Sequence, residues 1–318
     1  MDEQTALVLA IQLVALFSIA GALLLYLLCK IRAGVGFESS ENLPGAGKPV
    51  LVTCCDNAIG LQIAIHLANR GFRVFAGLKD GAASGESSDS TSSRVIRAWQ
   101  KHRESVPGFQ GTLVALPLDV TREDLLHEAV DIIRAHLPAG EDGVWSVVNT
   151  SGLSYRGRLE QQDIGHWDAI LKTNIIGVLR TARTFQGLLK NTGGRILTIG
   201  ASECEDTGLV AYTAARYGVE GASQALRKEF APLGIKVVTL NPGTTQADTM
   251  FMQPKFVNKE EMTEIPVESS GHLDYYPIVL SQSALQILDV AITTKKPDNN
   301  YNLAKVSRLA RLKILNIR

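Results

Sequence analysis

From Lys48 onward the chain alternates short apolar runs with amphipathic stretches of helical length, and this alternation restricts its fold more than any other feature. Residues 49–53 form an apolar run, 59–70 carry helical periodicity and 73–78 form a second run, so the segment opens as strand, helix, strand. The pattern predicts further strands over 112–118, 144–149, 195–200 and 235–240, with helices over 94–104, 123–136, 167–190 and 210–231. Strands joined through helices of that length lie parallel, with helices on both faces, because a parallel pair needs a long crossover. Right-handed crossovers then leave a doubly wound α/β sheet as the expected architecture. One domain over residues 48–300 accommodates it, and no internal repeat calls for a second.

Composition adds exclusions. A chain of 318 residues with 45% hydrophobic content can bury a sizeable core. Its 32 lysines and arginines balance 32 aspartates and glutamates, so there is no cationic footprint for nucleic acid, and no nucleic-acid partner is expected. Cys29, Cys54, Cys55 and Cys204 have no C-x-x-C or Cys/His ligand spacing; they read as reduced thiols, and no metal site is expected. His66, His102, His127, His136, His166 and His272 are scattered and read as surface residues.

Residues 6–28 are apolar apart from Gln12 and Ser18. At about 1.5 Å per residue such a helix crosses a hydrocarbon core of roughly 30 Å. Two readings stand, a membrane anchor and a cleaved signal peptide; the acidic start at Asp2 and Glu3 lacks a basic n-region and favours the anchor. Lys30 and Arg32 follow it and put the domain on the cytosolic side of a membrane, expected to be the endoplasmic reticulum. Residues 1–5 are then a short acidic terminus and 29–47 a linker. The polar tract 84–93 reads as a disordered insertion. The basic segment 301–318 either lies on an anionic membrane surface or docks its apolar side on the domain.

The segment 52–75, VTCCDNAIGLQIAIHLANRGFRVF, resembles the first βαβ unit of the short-chain dehydrogenase/reductase family, in its 3-hydroxybutyrate, retinol and hydroxysteroid dehydrogenase branch. The likeness continues in order through Leu118-Asp119-Val120-Thr121, WSVVNTSG at 145–152, Thr173-Asn174-Ile175-Ile176-Gly177, Tyr212 to Glu220, and Asn241-Pro242-Gly243. It implies a Rossmann-type fold holding NAD or NADP, with the pyrophosphate on the first helix N-terminus. The cofactor residues it implies are Thr53, Asn57, Ile59, Gly60, Asp119, Val120, Asn149, Pro242, Gly243 and Thr245. The glycine pattern is degenerate: where the family has T-G-x-x-x-G-x-G, this chain has Thr53-Cys54-Cys55-Asp56-Asn57-Ala58-Ile59-Gly60. Cys54 and Ala58 each add a Cβ at the phosphate turn, so weakened or reoriented cofactor binding is expected, and a strand-turn-helix that binds nothing is the alternative. Asp119 reads either as an adenine contact, with Val120 beside the ring, or as part of a helix start. No acid stands at the end of the second strand to choose between NAD and NADP.

The same resemblance implies the chemistry. Hydride transfer to or from a carbonyl carbon needs a proton moved at oxygen, and Tyr212 matches the family's acid/base. A phenol titrating at roughly 10 needs a neighbouring cation for this work. The family places a lysine one helical turn on; here it is Arg216, which keeps the charge and cannot release a proton. Asn174 matches the asparagine that kinks its helix and holds a water in the family's proton relay; a merely tolerated polar residue within the helix is the alternative. The family's serine position falls on Ala201, leaving Ser202, one residue beyond, as a substitute only if the backbone bends. Residues 244–276 match the substrate lid, with Phe251, Met252, Phe256, Tyr275 and Tyr276 either lining it or simply packing.

The resemblance therefore implies a membrane-anchored oxidoreductase acting on a lipophilic secondary alcohol or ketone of steroid or retinoid type, and leaves room for a homodimer. The alternative is a non-catalytic descendant, a membrane-tethered binding or scaffold protein, for which the altered glycines, serine and lysine speak; a cofactor-free lipid-binding module is a third reading.

Overall fold

The computed structural model describes residue 21 and residues 45–79, 90–105, 111–201, 207–256 and 275–303. Seven parallel strands make its main sheet: β1 (Pro49–Val52), β2 (Arg73–Leu78), β3 (Thr112–Pro117), β4 (Ser146–Asn149), β5 (Arg195–Ile199), β6 (Lys236–Asn241) and β9 (Asn300–Asn302), in the order β3-β2-β1-β4-β5-β6-β9. The order reverses between β1 and β4, which opens a crevice at their carboxyl ends. Alternate side chains of β1 feed two cores. Val50 and Val52 face α1 (Ala58–Asn69) and α8 (Gln282–Thr293), while Leu51 faces α3 (Glu123–His136) and α5 (Gly177–Thr192). Every residue of β1, β4 and β5 is buried, as expected of central strands covered on both sides.

The remaining helices are α2 (Thr91–Glu104), α4 (Ile164–Leu171), α6 (Val210–Phe230) and the single turn α7 (Ala247–Met250); β7 (Lys255–Phe256) and β8 (Tyr275–Tyr276) pair antiparallel. The helix expected over 167–190 is two helices joined by a π turn at Lys172–Ile176, and Gly193 ends α5 in the left-handed conformation at φ 58°. Residues 90–93, expected to belong to the polar insertion, instead start α2: Ser90 caps it through Oγ, which accepts the Ser93 N–H at 3.2 Å.

Elements after β6 carry weak signals and strong tertiary ties. The Gln62 amide on α1 donates to the Leu280 carbonyl at 2.7 Å, and its oxygen accepts the N–H groups of Val279 and Leu280 at 2.9 and 2.8 Å. Asp289 on α8 pairs with His66 at 2.8 Å and Arg70 at 3.1 Å, so His66, expected at the surface, is a half-buried link between helices. Arg195 is buried and donates to the carbonyls of Ala291 and Thr294, at the negative end of α8; burial brings its pKa down to about 10. Strand β9 crosses the expected domain edge at 300, held by Arg227, whose Nε donates to Val237 O and whose Nη2 donates to Thr239 Oγ1 and Asn299 O.

Among the described residues no helix is long and apolar enough to cross a membrane, and none of them form a cluster able to hold a metal. The expected anchor 6–28, apart from residue 21, lies outside the described residues, as do residues 1–5, 80–89, 257–274 and 304–318 and most of the linker 29–47.

Candidate active site and dinucleotide cleft

The cleft floor is a knot between the β1–α1 loop and the turn after β4. Thr53 Oγ1 accepts the Thr150 N–H at 3.2 Å, and Thr150 Oγ1 accepts the Cys54 N–H at 3.3 Å and donates to the Cys54 carbonyl at 3.1 Å. Asn57 caps α1 by accepting the Gly60 N–H at 2.8 Å while its Nδ2 donates to Thr150 O at 2.9 Å. Asn149 Oδ1 accepts both the N–H and the hydroxyl of Ser151, at 3.2 and 2.5 Å. These bonds explain Thr53, Asn57 and Asn149 as builders of the loop.

The one surviving glycine has the same kind of reason. A Cβ on Gly60 would lie 1.7 Å from the Cys54 carbonyl oxygen and 2.8 Å from Thr150 Oγ1, so the loop excludes a side chain there with no ligand involved. Cys54 and Ala58 occupy former glycine positions without adopting positive φ, since Ala46 alone does so among described non-glycine residues. Burial, then the Asp56 charge, pushes the Cys54 pKa up to about 12, and burial pushes the Cys55 thiol well above its ordinary range, which disfavours both thiolates. Ile59 and Val120 are core residues; a Cβ on Gly177 would lie 2.6 Å from Val120, which packs on α5. Asp119 Oδ1 accepts the N–H and hydroxyl of Thr121, each at 2.8 Å, the turn that leads into α3, and Oδ2 stands 4.0 Å from the Lys79 ammonium. Asp56 Oδ2 accepts the Lys79 N–H at 2.6 Å, bringing a carboxylate to the end of β2 from the first loop. At the end of β6, Gly243 takes φ 64° and Thr245 Oγ1 donates to Pro242 O at 2.9 Å, closing the turn into the segment expected to form the lid.

Tyr212 and Arg216 lie one turn apart on α6, both buried, with the guanidinium carbon 5.3 Å from the phenol ring centre. Arg216 donates to the carbonyls of Ile199, at the end of β5, and Ser151, in the turn after β4, at 3.1 and 3.2 Å. Burial holds its pKa below the ordinary arginine range, and the Tyr212 phenol beside it pulls the other way. Asn174, fully buried in the π turn, accepts the Leu153 N–H at 2.8 Å and donates to the Leu153 carbonyl at 2.9 Å, fixing the backbone after Gly152. Ala201, at the serine position, is buried and its N–H donates to Glu220 Oε1 at 3.0 Å; Ser202 lies outside the described residues.

Phe251 and Met252, expected either to line a lid or simply to pack, cover this floor. Phe251 puts its ring 6.0 Å from Tyr212 and 4.9 Å from the Arg216 guanidinium. Both side chains fill the space over Gly152, where an added Cβ would meet Arg216 Nη2 and the Phe251 ring at 2.3 Å each. The Met252 carbonyl accepts the Ala58 N–H at 2.9 Å, at the first turn of α1. Of the other aromatic residues expected in the lid, Tyr275 belongs to the core, where burial raises its pKa, and Phe256 lies beneath Arg94 at 4.4 Å. No pattern in the sequence marks the bond that Met252 makes, because it is made by a backbone oxygen.

Residues 48–258 match the family model described as short chain dehydrogenase. The chain belongs to that family. It is 32% identical over 236 residues to the mitochondrial D-beta-hydroxybutyrate dehydrogenase of Rattus norvegicus, covering 72% of this chain and 64% of that protein. It is 29% identical over 287 residues to the 17-beta-hydroxysteroid dehydrogenase type 6 of Rattus norvegicus, covering 82% of each. The chain spans less than two thirds of the length of the hydroxybutyrate dehydrogenases it matches. An alcohol dehydrogenase from Thermococcus sibiricus, solved with 5-hydroxy-NADP, shares the fold with a TM-score of 0.51 and 20% identity, over 63% of this chain and 78% of that one.

The family's frame for a dinucleotide is therefore present, with a helix N-terminus at a topological switch point. The Ala58 donor is taken by the Met252 carbonyl and the floor at Gly152 is filled by Phe251 and Arg216, so a dinucleotide lying there would displace these contacts.

Since Gly60 is required by packing, Gly60→Ala is expected to destabilise the fold by about 1–3 kcal/mol or more without any ligand present, as an overpacked site does. Urea denaturation of the ligand-free protein checks this; an unchanged midpoint would return the glycine to a purely cofactor-related role.

Proposed function

We propose that this chain is an oxidoreductase acting on the CH–OH group of a lipophilic secondary alcohol, or on the matching ketone, of steroid or retinoid type, with NAD or NADP as redox partner. The observation that carries the reading is the Tyr212–Arg216 pair, a phenol and a guanidinium held 5.3 Å apart beside the cleft floor that Asn174 fixes through Leu153. Membership of the family and the likeness to hydroxybutyrate and hydroxysteroid dehydrogenases support it.

In this reading Tyr212 gives or takes the proton at the substrate oxygen. Arg216 serves as a fixed charge that favours the phenolate; bonded to two carbonyls, it positions rather than relays. Asn174 holds the Leu153 peptide, and Ser202 would need to reach the oxygen from beyond Ala201. A binding or scaffold protein without turnover is the second reading, favoured by the covering of the floor by Phe251 and Met252.

Tyr212→Phe is expected to lower turnover by about 10²–10⁴-fold on a hydroxysteroid and retinol panel while leaving dinucleotide affinity nearly unchanged. Arg216→Lys is expected to lower both, because a lysine cannot bridge the Ile199 and Ser151 carbonyls as the planar fork does. Turnover unaffected by Tyr212→Phe would remove Tyr212 from the chemistry. A parent protein inactive across the panel would favour the second reading.

The location is part of the proposal. The apolar run 6–28 supports a single-pass anchor in the endoplasmic reticulum, and Lys30 with Arg32 supports a cytosolic domain. A glycosylation acceptor introduced near Ser88 is expected to stay unmodified in cells, and efficient modification would reverse the orientation.

A further inference from the structure

We propose that the edge of the sheet at which the strands begin docks on an anionic bilayer surface, so that the domain lies against the membrane with its cleft edge turned away. The inference rests on the anchor reading above and is independent of the oxidoreductase one.

Five neighbouring strands, β1-β4-β5-β6-β9, start on a row of cations built around one indole. Lys48 precedes β1, Arg195 opens β5 and Lys236 opens β6, while the exposed Lys295 and Lys296 lie between α8 and β9. Trp145, just before β4, fills the remaining place: the Lys48 ammonium stands 4.3 Å and the Arg195 guanidinium carbon 4.6 Å from its ring centre. These charges are gathered without being neutralised. Arg195 is fully buried, with Nη1 spent on the Ala291 and Thr294 carbonyls and Nε and Nη2 without a partner among the described residues. Burial, then the Arg195 charge, lowers the pKa of both Lys48 and Lys236. Among the described residues no carboxylate forms an ion pair with Lys48, Arg195 or Lys236. The acids of this edge stand aside: Asp289 is taken by His66 and Arg70, Glu141 and Asp142 lie in the turn tied to α5 through Asn191, and Asp298 follows the two lysines.

Charge and position both select an anionic bilayer as the partner. Lysine stems and an indole suit the headgroup layer, where each cation adds to the attraction of a negatively charged cytosolic leaflet over a Debye length of about 8 Å. Arg195 is too deep to touch a headgroup and acts through its field. The chain also enters the domain at this edge: the Gly45 N–H donates to Arg70 O at 3.0 Å and the Gly47 N–H to Gly71 O at 2.9 Å, which fastens the residues before Lys48 to the turn between α1 and β2. The apolar run 6–28 lies upstream, and residues 29–44 can span at most roughly 55 Å. A tether of that reach lets the edge meet the surface without forcing it to, and holds it close enough for weak charge contacts to suffice. The six residues of β2 put roughly 20 Å between this edge and the carboxyl ends of the strands. The cleft then opens on the aqueous side, where a dinucleotide is dissolved, and a lipophilic substrate must leave the bilayer before it reaches Tyr212.

The test reconstitutes the full chain in vesicles of phosphatidylcholine alone and of phosphatidylcholine with phosphatidylserine in equal parts. Amide hydrogen exchange is read over residues 46–48, 234–236 and 295–298 at the docking edge and over 54–60 at the cleft edge. The parent is compared with a variant carrying Lys48→Gln, Lys295→Gln and Lys296→Gln, and with one carrying only the last two, which are exposed changes that leave the entry to β1 untouched. Flotation with the same vesicles reads the anchor separately. The expected result is that the docking-edge amides of the parent exchange about tenfold more slowly on the anionic membrane than on the neutral one, with the cleft edge unchanged, and that either variant or high salt removes the difference. Equal exchange on the two membranes, with the parent floating on both, would overturn the docking and leave the anchor standing. Flotation on anionic vesicles alone, lost in the variants, would support the docking and overturn the anchor. Protection of the cleft edge in place of the docking edge would overturn the proposal.

Discussion

A guanidinium taken out of water must find acceptors or unfold what surrounds it, and Arg216 finds them at the ends of two strands. Its bonds to the Ile199 and Ser151 carbonyls tie α6 to β5 and to the turn after β4. That tie places Tyr212, sets the floor at Gly152 and gives Phe251 a cation to lie on. A lysine at this position would present one ammonium with no fork, so the substitution of arginine changes the site from a mobile charge to a structural bridge. The charge beside the phenol survives that change; the freedom to pass a proton does not.

The cleft illustrates how a family pattern can be preserved for reasons unrelated to a ligand. Gly60 stands against the Cys54 carbonyl, Asn57 caps a helix and fastens Thr150, and Asn149 folds the turn around Ser151. Each would be needed in a protein that bound nothing. What separates a working site from an inherited frame is the set of donors open to a ligand, and here the Met252 carbonyl takes the Ala58 N–H while Phe251 covers Gly152.

The parallel sheet was legible because periodicity changes along the chain at each strand and helix, and strand β2 and helix α3 occupy the residues expected of them. The interruption of the long helix at Asn174 was legible only through resemblance, since nothing in the periodicity marks a π turn at Lys172–Ile176. Elements past Gly243 escaped because tertiary partners define them: Gln62 fixes the approach to α8, Arg195 caps its far end, and Arg227 holds a three-residue strand. The start of α2 was missed because Ser90–Ser93 have the composition of a loop, while Ser90 supplies the cap that turns such a sequence into a helix start. Phe251 and Met252 were legible as lid residues through the resemblance, but the bond from the Ala58 N–H to the Met252 carbonyl was not, because a main-chain oxygen leaves no side-chain pattern.

The central claim is that Arg216, bonded to the Ile199 and Ser151 carbonyls, is the fixed bridge that places Tyr212 and Phe251 over the cleft floor. The most direct measurement is a pair of crystal structures, of the parent protein and of Arg216→Lys. The account predicts that the lysine leaves at least one of the two carbonyls without its bond and that the Phe251 ring shifts from its place over Gly152. An Arg216→Lys structure in which Tyr212, Phe251 and the turn after β4 keep their positions would contradict it.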